Sequence, residues 1–185
     1  MSRIAFSWNG LPQYAARQLA AASAELGQDC PVVGSRAQVP VQGVESALGR
    51  PVQWVEASRP TTWRELGQDV PRVFFQSGWA YPAFNALGDE VRAAGGKVCL
   101  LMDNNWRGDL RQILGAPWFR LCQRRKFSAV LVPGKSGRRL ARWYGMPDEK
   151  IFEGMYGADP RLFFNGPPLS ERPKRIIFVG QYIKR

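Results

Sequence analysis

Asp103 closes an apolar run, Lys97–Met102 (KVCLLM), and is followed by Asn104, Asn105 and Trp106. A carboxylate at the mouth of a strand can take a proton from a hydroxyl or orient one for attack. The same residue type also caps helices and turns, so Asp103 carries two readings. The chain contains no histidine. That excludes histidine triads, histidine general bases and most transition-metal sites. Cys30, Cys99 and Cys122 have no paired spacing. They form neither a disulfide framework nor a zinc knuckle, and point to a reducing compartment. Two nucleotide-binding fingerprints are broken. Gly134-Lys135-Ser136 ends like a phosphate-binding loop, but the first glycine of that motif falls on Ala129. Only Gly10 follows the first apolar run, so Gly-x-Gly-x-x-Gly is missing and NAD chemistry is not expected. Gly134–Ser136 still opens a helix, where backbone N–H groups can hold an anion beside Lys135.

The elements that must position these residues follow from hydrophobic periodicity. Arg3–Trp8 is a strand, and Leu11–Leu26 is a helix stopped by Gly27. Pro31–Gly34 and Pro51–Val55 are short strands, with undefined polar stretches between them and over Ser58–Val70. Arg72–Gln76 is a strand, Ala80–Ala94 a helix and Lys97–Met102 a strand. Gly108–Leu114 is helical, and Pro117 starts a second helix that runs to Arg125. Ala129–Val132 is a strand, Ser136–Tyr144 a helix ended by Gly145, and Lys150–Glu153 a strand. Pro160–Phe164 is one helical turn, and Gly166–Pro173 reads as a linker. Arg175–Val179 is a further apolar strand.

Strands that alternate with helices, and are apolar rather than strictly alternating, indicate a parallel sheet covered on both faces. Ligands of such sheets bind beyond the carboxyl ends of the strands. The segments there are Asn9-Gly10, Ser77-Gly78-Trp79, Asp103–Arg107, Pro133–Ser136 and Gly154–Asp159. Their glycines, amides, tryptophans and charges have the composition of a binding site. Trp79, Tyr81, Trp106 and Trp118 suit either flat sugar faces or ordinary core packing.

The chain has 185 residues, of which 45% are hydrophobic and 22% charged, an ordinary globular composition. Its net charge is +11. Residues 107–142 hold ten basic side chains and one acid, Asp109, and so carry +9 of it. Such a field concentrates anions: nucleic acid, anionic lipid or a phosphorylated substrate. Arg124, Arg125, Lys126, Arg138 and Arg142 are the expected anionic-surface contacts, the last two sharing a helix face. Nucleic acid is not the expected partner, because the aromatics are not interleaved with the basic residues. No signal peptide and no run of about 20 apolar residues is present. The expected location is the cytoplasm, with a peripheral site at the inner membrane face.

Residues 129–163 carry a recognisable pattern. A strand (AVLVPG) and a short helix precede Gly145, Pro147 and Lys150-Ile151; Gly157, Asp159 and Phe163 follow. Ile176–Gly180 (IIFVG) comes next. This order resembles the end of the N-terminal domain of GT-B-fold glycosyltransferases of the retaining group 1 type. The resemblance implies an α/β, Rossmann-like parallel sheet with helices on both faces. It implies an acceptor-side domain over residues 1–165, a linker over 166–173, and the first strand of a truncated C-terminal domain over 174–185. The implied activity is transfer of a sugar from a nucleotide-sugar to a hydroxyl on a glycan, glycolipid or protein. No metal or other cofactor is implied.

The residues implied to act are Asp103, orienting the acceptor hydroxyl, and Asn9, Gly10 and Lys135 toward the donor phosphates. Ser77, Gly78, Trp79, Asn104, Asn105, Trp106, Gly157 and Asp159 complete the substrate-binding set. Two departures stand out. The family's arginine after FVG is Gln181, and the first-domain loop that often carries a histidine reads Asp103-Asn104-Asn105. The alternative is a stand-alone α/β module that binds nucleic acid or an anionic surface through residues 107–142.

Overall fold

The computed structural model describes residues 4–37, 41–157 and 166–174. Among these residues seven strands form one parallel sheet: β1 (Ile4–Trp8), β2 (Val32–Gly34), β3 (Gln53–Trp54), β4 (Val73–Ser77), β5 (Lys97–Leu101), β6 (Ala129–Val132) and β7 (Ile151–Glu153). The helices are α1 (Gln13–Glu25), α2 (Val44–Leu48), α3 (Pro82–Ala93), α4 (Leu110–Trp118) and α5 (Lys135–Trp143). The strand order is β3-β2-β1-β4-β5-β6-β7. The chain winds outward from β1 to β3, then returns to the other side of β1 and winds outward again. The β1–β4 pair, with Phe6 opposite Phe75, is therefore the topological switch point.

Successive side chains of each strand face opposite layers. Ala5, Phe74, Val98, Leu100, Val130 and Val132 pack with α3, α4 and α5. Phe6, Trp8, Val32 and Leu101 belong to the other layer, with Leu11, Ala15 and Leu19 from α1 and Val44 and Leu48 from α2. That second layer is incomplete. Phe75, Leu101 and Leu131 line an apolar trough of about 1070 Å³ beside α1, together with Phe6, Trp8 and Met155.

The β3-to-β4 connection is anchored by one side chain. Trp63 is fully buried, donates its indole N–H to the Leu87 carbonyl at 3.0 Å and meets Phe74 edge-on at 5.3 Å. Gly88 of α3 lies against Gln76, where a Cβ would sit 2.5 Å from Oε1. Glycine lets α3 close on β4, and the buried Gln76 amide then ties down Gly78 and Asn85 at 3.0 and 2.7 Å.

Three expectations change. The strand over Pro51–Val55 shrinks to Gln53–Trp54, and α2 occupies the polar stretch before it. The break before Pro117 is absent: α4 runs through Pro117 and continues as a π turn, Phe119–Gln123, and a 3-10 turn, Arg124–Lys126. Pro117 is exposed, so water can satisfy the carbonyl that its missing N–H leaves free, and the widened turn follows directly. Within Gly166–Pro173 the chain makes a 3-10 turn at Leu169–Glu171. The expected helical turn at 160–164 and strand at 175–179 lie outside the described residues.

Candidate functional site

The turn after β1 is held by side chains from its neighbouring strands. Gly10, at φ +60°, allows the tight passage into α1. Its N–H donates to Ser35 Oγ at 2.8 Å, and Ser35 donates in turn to Asn9 Oδ1 at 2.8 Å. The Asn9 backbone N–H donates to Ser77 Oγ at 3.2 Å, and Asn9 Nδ2 donates to the Tyr81 hydroxyl at 2.9 Å. Asn9, Gly10 and Ser77, expected from strand ends, thus form one network with Ser35 and Tyr81. Tyr81 accepts from Asn9 and keeps its own proton for a ligand.

A cavity of about 740 Å³ opens beside this network, at the carboxyl ends of β1, β2 and β3. Asn9, Ser35, Arg36, Trp54, Glu56 and Tyr81 are among its walls. The Arg36 guanidinium stands over the Trp54 ring, 5.0 Å from its centroid. The Trp54 indole is fixed from behind, donating to Glu45 Oε1 at 3.1 Å. The wall thus offers a cation, a hydroxyl proton and an aromatic face, a set that suits a polar ligand with anionic and ring portions. Arg36, Trp54, Glu56 and Ser35 were not among the expected site residues. Applying the strand-end rule to β2 and β3 finds them: Ser35 and Arg36 follow β2, Trp54 ends β3, and Glu56 lies two residues beyond it.

Asp103 is exposed at the end of β5. Its carboxylate neighbours the Tyr156 hydroxyl, which burial first and Asp103 second push far above the ordinary tyrosine range. The Tyr156 oxygen is buried without a hydrogen bond of normal geometry. Its ring packs with Trp8 and Tyr14, at 6.2 and 6.0 Å. The loop beyond Asp103 is pinned by Gln112, which sequence reasoning missed. Gln112 Oε1 accepts from the Arg107 and Gly108 N–H groups at 2.8 and 3.1 Å. Its Nε2 donates to the Asn105 carbonyl at 2.7 Å. Asp109 caps α4 by accepting the Gln112 N–H at 2.8 Å.

Asn104 and Asn105 are exposed beside Asp103. Trp106 packs on Trp143 at 5.4 Å beneath Arg139, and its backbone N–H donates to Ser136 Oγ at 3.1 Å. Gly78 donates its N–H to the Leu101 carbonyl at 3.0 Å, joining β4 to the end of β5. Trp79 joins Trp118, Phe119 and Tyr144 in an aromatic cluster under α4. Lys135 is exposed at the start of α5, and Gly157 accepts a bond from Gln18 Nε2 at 2.8 Å. Asp159 lies outside the described residues. Arg138 and Arg142 share a face of α5, as their spacing predicts, and both bind Asp148, at 3.0 and 2.6 Å. Arg138 also binds Glu153 at 2.5 Å. These contacts hold the Asp148 carboxyl below its usual range, through Arg142 first. Arg124 and Arg125 are exposed, with Lys126 half-buried beside them.

No family model matches the chain. It is 33% identical over 110 residues to 3-oxosteroid 1-dehydrogenase from Mycolicibacterium smegmatis (strain ATCC 700084 / mc(2)155). That match takes in 58% of this chain and 18% of the dehydrogenase. The fold is shared with a protein assigned as UDP-N-acetylglucosamine 2-epimerase from Listeria monocytogenes, at TM-score 0.53 and 12% identity. A second UDP-N-acetylglucosamine 2-epimerase structure matches at TM-score 0.53 and 13% identity. Both cover 82% of this chain, which spans 44% and 47% of them. The architecture is therefore Rossmann-like, of the GT-B-like kind.

Proposed function

We propose that this chain is the acceptor-side half of a nucleotide-sugar enzyme that transfers the sugar to a hydroxyl of a glycan, glycolipid or protein. The observation that carries the reading is the cavity at the strand ends beside the switch point, where Arg36, Trp54 and Tyr81 offer charge, ring and proton to one ligand. The likeness in fold to UDP-N-acetylglucosamine 2-epimerases supports a sugar-nucleotide substrate. The motif order over residues 129–163 supports transfer. Asn9 and Gly10 face the donor phosphates in this reading, and Lys135 neutralises a further anionic charge at the start of α5. Asp103 orients the acceptor hydroxyl and receives its proton as the bond to the sugar forms and the nucleoside diphosphate leaves. The donor is a substrate, and no resident cofactor takes part. The match to the dehydrogenase takes in 18% of that protein and lends no role to this reading. A chain spanning under half of its structural neighbours is expected to be nearly inactive alone, because both substrates must be held together.

The test is nucleoside diphosphate release by the complete gene product from a set of nucleotide-sugars, with and without carbohydrate acceptors. Acceptor-dependent release, with KM raised about tenfold by Arg36→Ala, supports transfer. An epimerised nucleotide-sugar formed without acceptor overturns transfer and retains the donor class.

A further inference from the structure

We propose that α4 and the turns that follow it form a docking surface for an anionic lipid bilayer, with α4 lying in the plane of the headgroups. The observation is an apolar stripe turned outward. Leu110 is 74% exposed, Leu114 73%, Trp118 46% and Leu121 81%. At about 100° per residue, the first three span an arc of roughly 80° and Leu121 falls within it. The opposite face of the same segment is the buried one, with Gln112, Ala116, Phe119 and Gln123. A helix that hides one face in the core normally shows polar residues outside; this one shows leucines. Trp118 is backed by Trp79 at 5.1 Å, which stiffens the stripe.

Charge names the occupant. Arg107, Arg111, Arg120, Arg124, Arg125 and Lys126 flank the stripe, and none has a carboxylate partner among the described residues. The guanidinium groups of Arg120 and Arg124 bind the carbonyls of Trp143 and Gly145 and keep their charge. The one acid of the segment, Asp109, is engaged as the cap of α4. Protruding leucines ringed by unpaired cations match the boundary between acyl chains and anionic headgroups, where apolar insertion and electrostatic attraction add. Arg138 and Arg142 are not part of this surface, because Asp148 and Glu153 hold them.

The experiment needs no enzyme assay, so its outcome is independent of the transfer reaction. Cys122 is the exposed thiol of the segment, whereas Cys30 is buried. The protein is labelled there with an environment-sensitive fluorophore and mixed with phosphatidylcholine vesicles, with or without phosphatidylglycerol. The expected result is a blue shift and co-sedimentation with the anionic vesicles only, both lost at about 0.5 M salt. Arg124/Arg125/Lys126→Ala weakens partitioning on the order of 100-fold, at about fivefold per cation. Leu114/Leu121→Asn removes the blue shift while circular dichroism stays that of the parent. Equal binding to neutral vesicles, or no binding to either, overturns the proposal. So does a concentration-dependent dimer that Leu114/Leu121→Asn abolishes while vesicle binding stands, which assigns the stripe to a second copy. Tight binding to an acidic protein or to RNA without vesicle binding overturns it equally.

Discussion

Asp103 offers little to packing, and in the proposed transfer it faces the reacting hydroxyl. It is exposed at a strand end, and the neighbour that feels it most clearly is Tyr156. Asp103→Asn in the complete enzyme is expected to lower turnover tenfold or more, about 1.4 kcal/mol of transition-state stabilisation, with little change in melting temperature. Unchanged turnover with a lower melting point assigns Asp103 a structural role alone. Cysteine reactivity gives a second test at this scale. Burial pushes the Cys99 thiol up to about 12. A maleimide at pH 8 is therefore expected to modify Cys122 and spare Cys99 and the buried Cys30, as read by intact mass.

Among the elements, the β3-to-β4 connection depends on a single tryptophan. Trp63→Ala empties a fully buried site and removes the indole bond to the Leu87 carbonyl, at an expected cost of about 3–5 kcal/mol. The melting temperature should fall by roughly 10 °C. The α5–β7 junction responds to pH instead. Because Asp148 is held below its usual carboxyl range, its pairing with Arg142 and Arg138 is complete above about pH 4 and fades as pH falls through the lowered value. Thermal melts of Asp148→Asn and the parent should differ at neutral pH and converge in acid. These elements also show what could be read beforehand. The strand ends Asn9, Ser77 and Asp103 were legible because β1, β4 and β5 are long enough to display their pattern. Arg36 and Trp54 were within reach of the same rule, since strands were expected at 31–34 and 51–55, but β2 and β3 are three and two residues long and their short patterns drew no attention to what stands at their ends. The outward stripe of α4 was hidden by Pro117. Read as a helix start, it splits Leu110 and Leu114 from Trp118 and Leu121, and the shared face appears only when the helix runs through.

At the scale of the whole molecule, the sheet separates two tasks. Its carboxyl edge between β1 and β3 holds the cavity beside Asn9, Arg36 and Tyr81, while α4, α3 and α5 cover one face and α1 and α2 part of the other. The parallel sheet and its wrapping were legible from the alternation of elements. The charge asymmetry was legible too, but its direction was not, because only the fold shows which cations meet acids. The tie made by Gln112 then has a kinetic meaning. It joins the loop after Asp103 to the helix proposed to lie among headgroups, so the chemical edge is carried at a set height above them. Where both proposals hold, a hydroxyl borne by a lipid meets that edge by diffusing laterally, in two dimensions. The rate for such an acceptor is governed by its mole fraction in the surface rather than its bulk concentration. Diluting the acceptor with inert lipid slows the reaction, and diluting the whole suspension leaves it nearly unchanged while the enzyme remains bound.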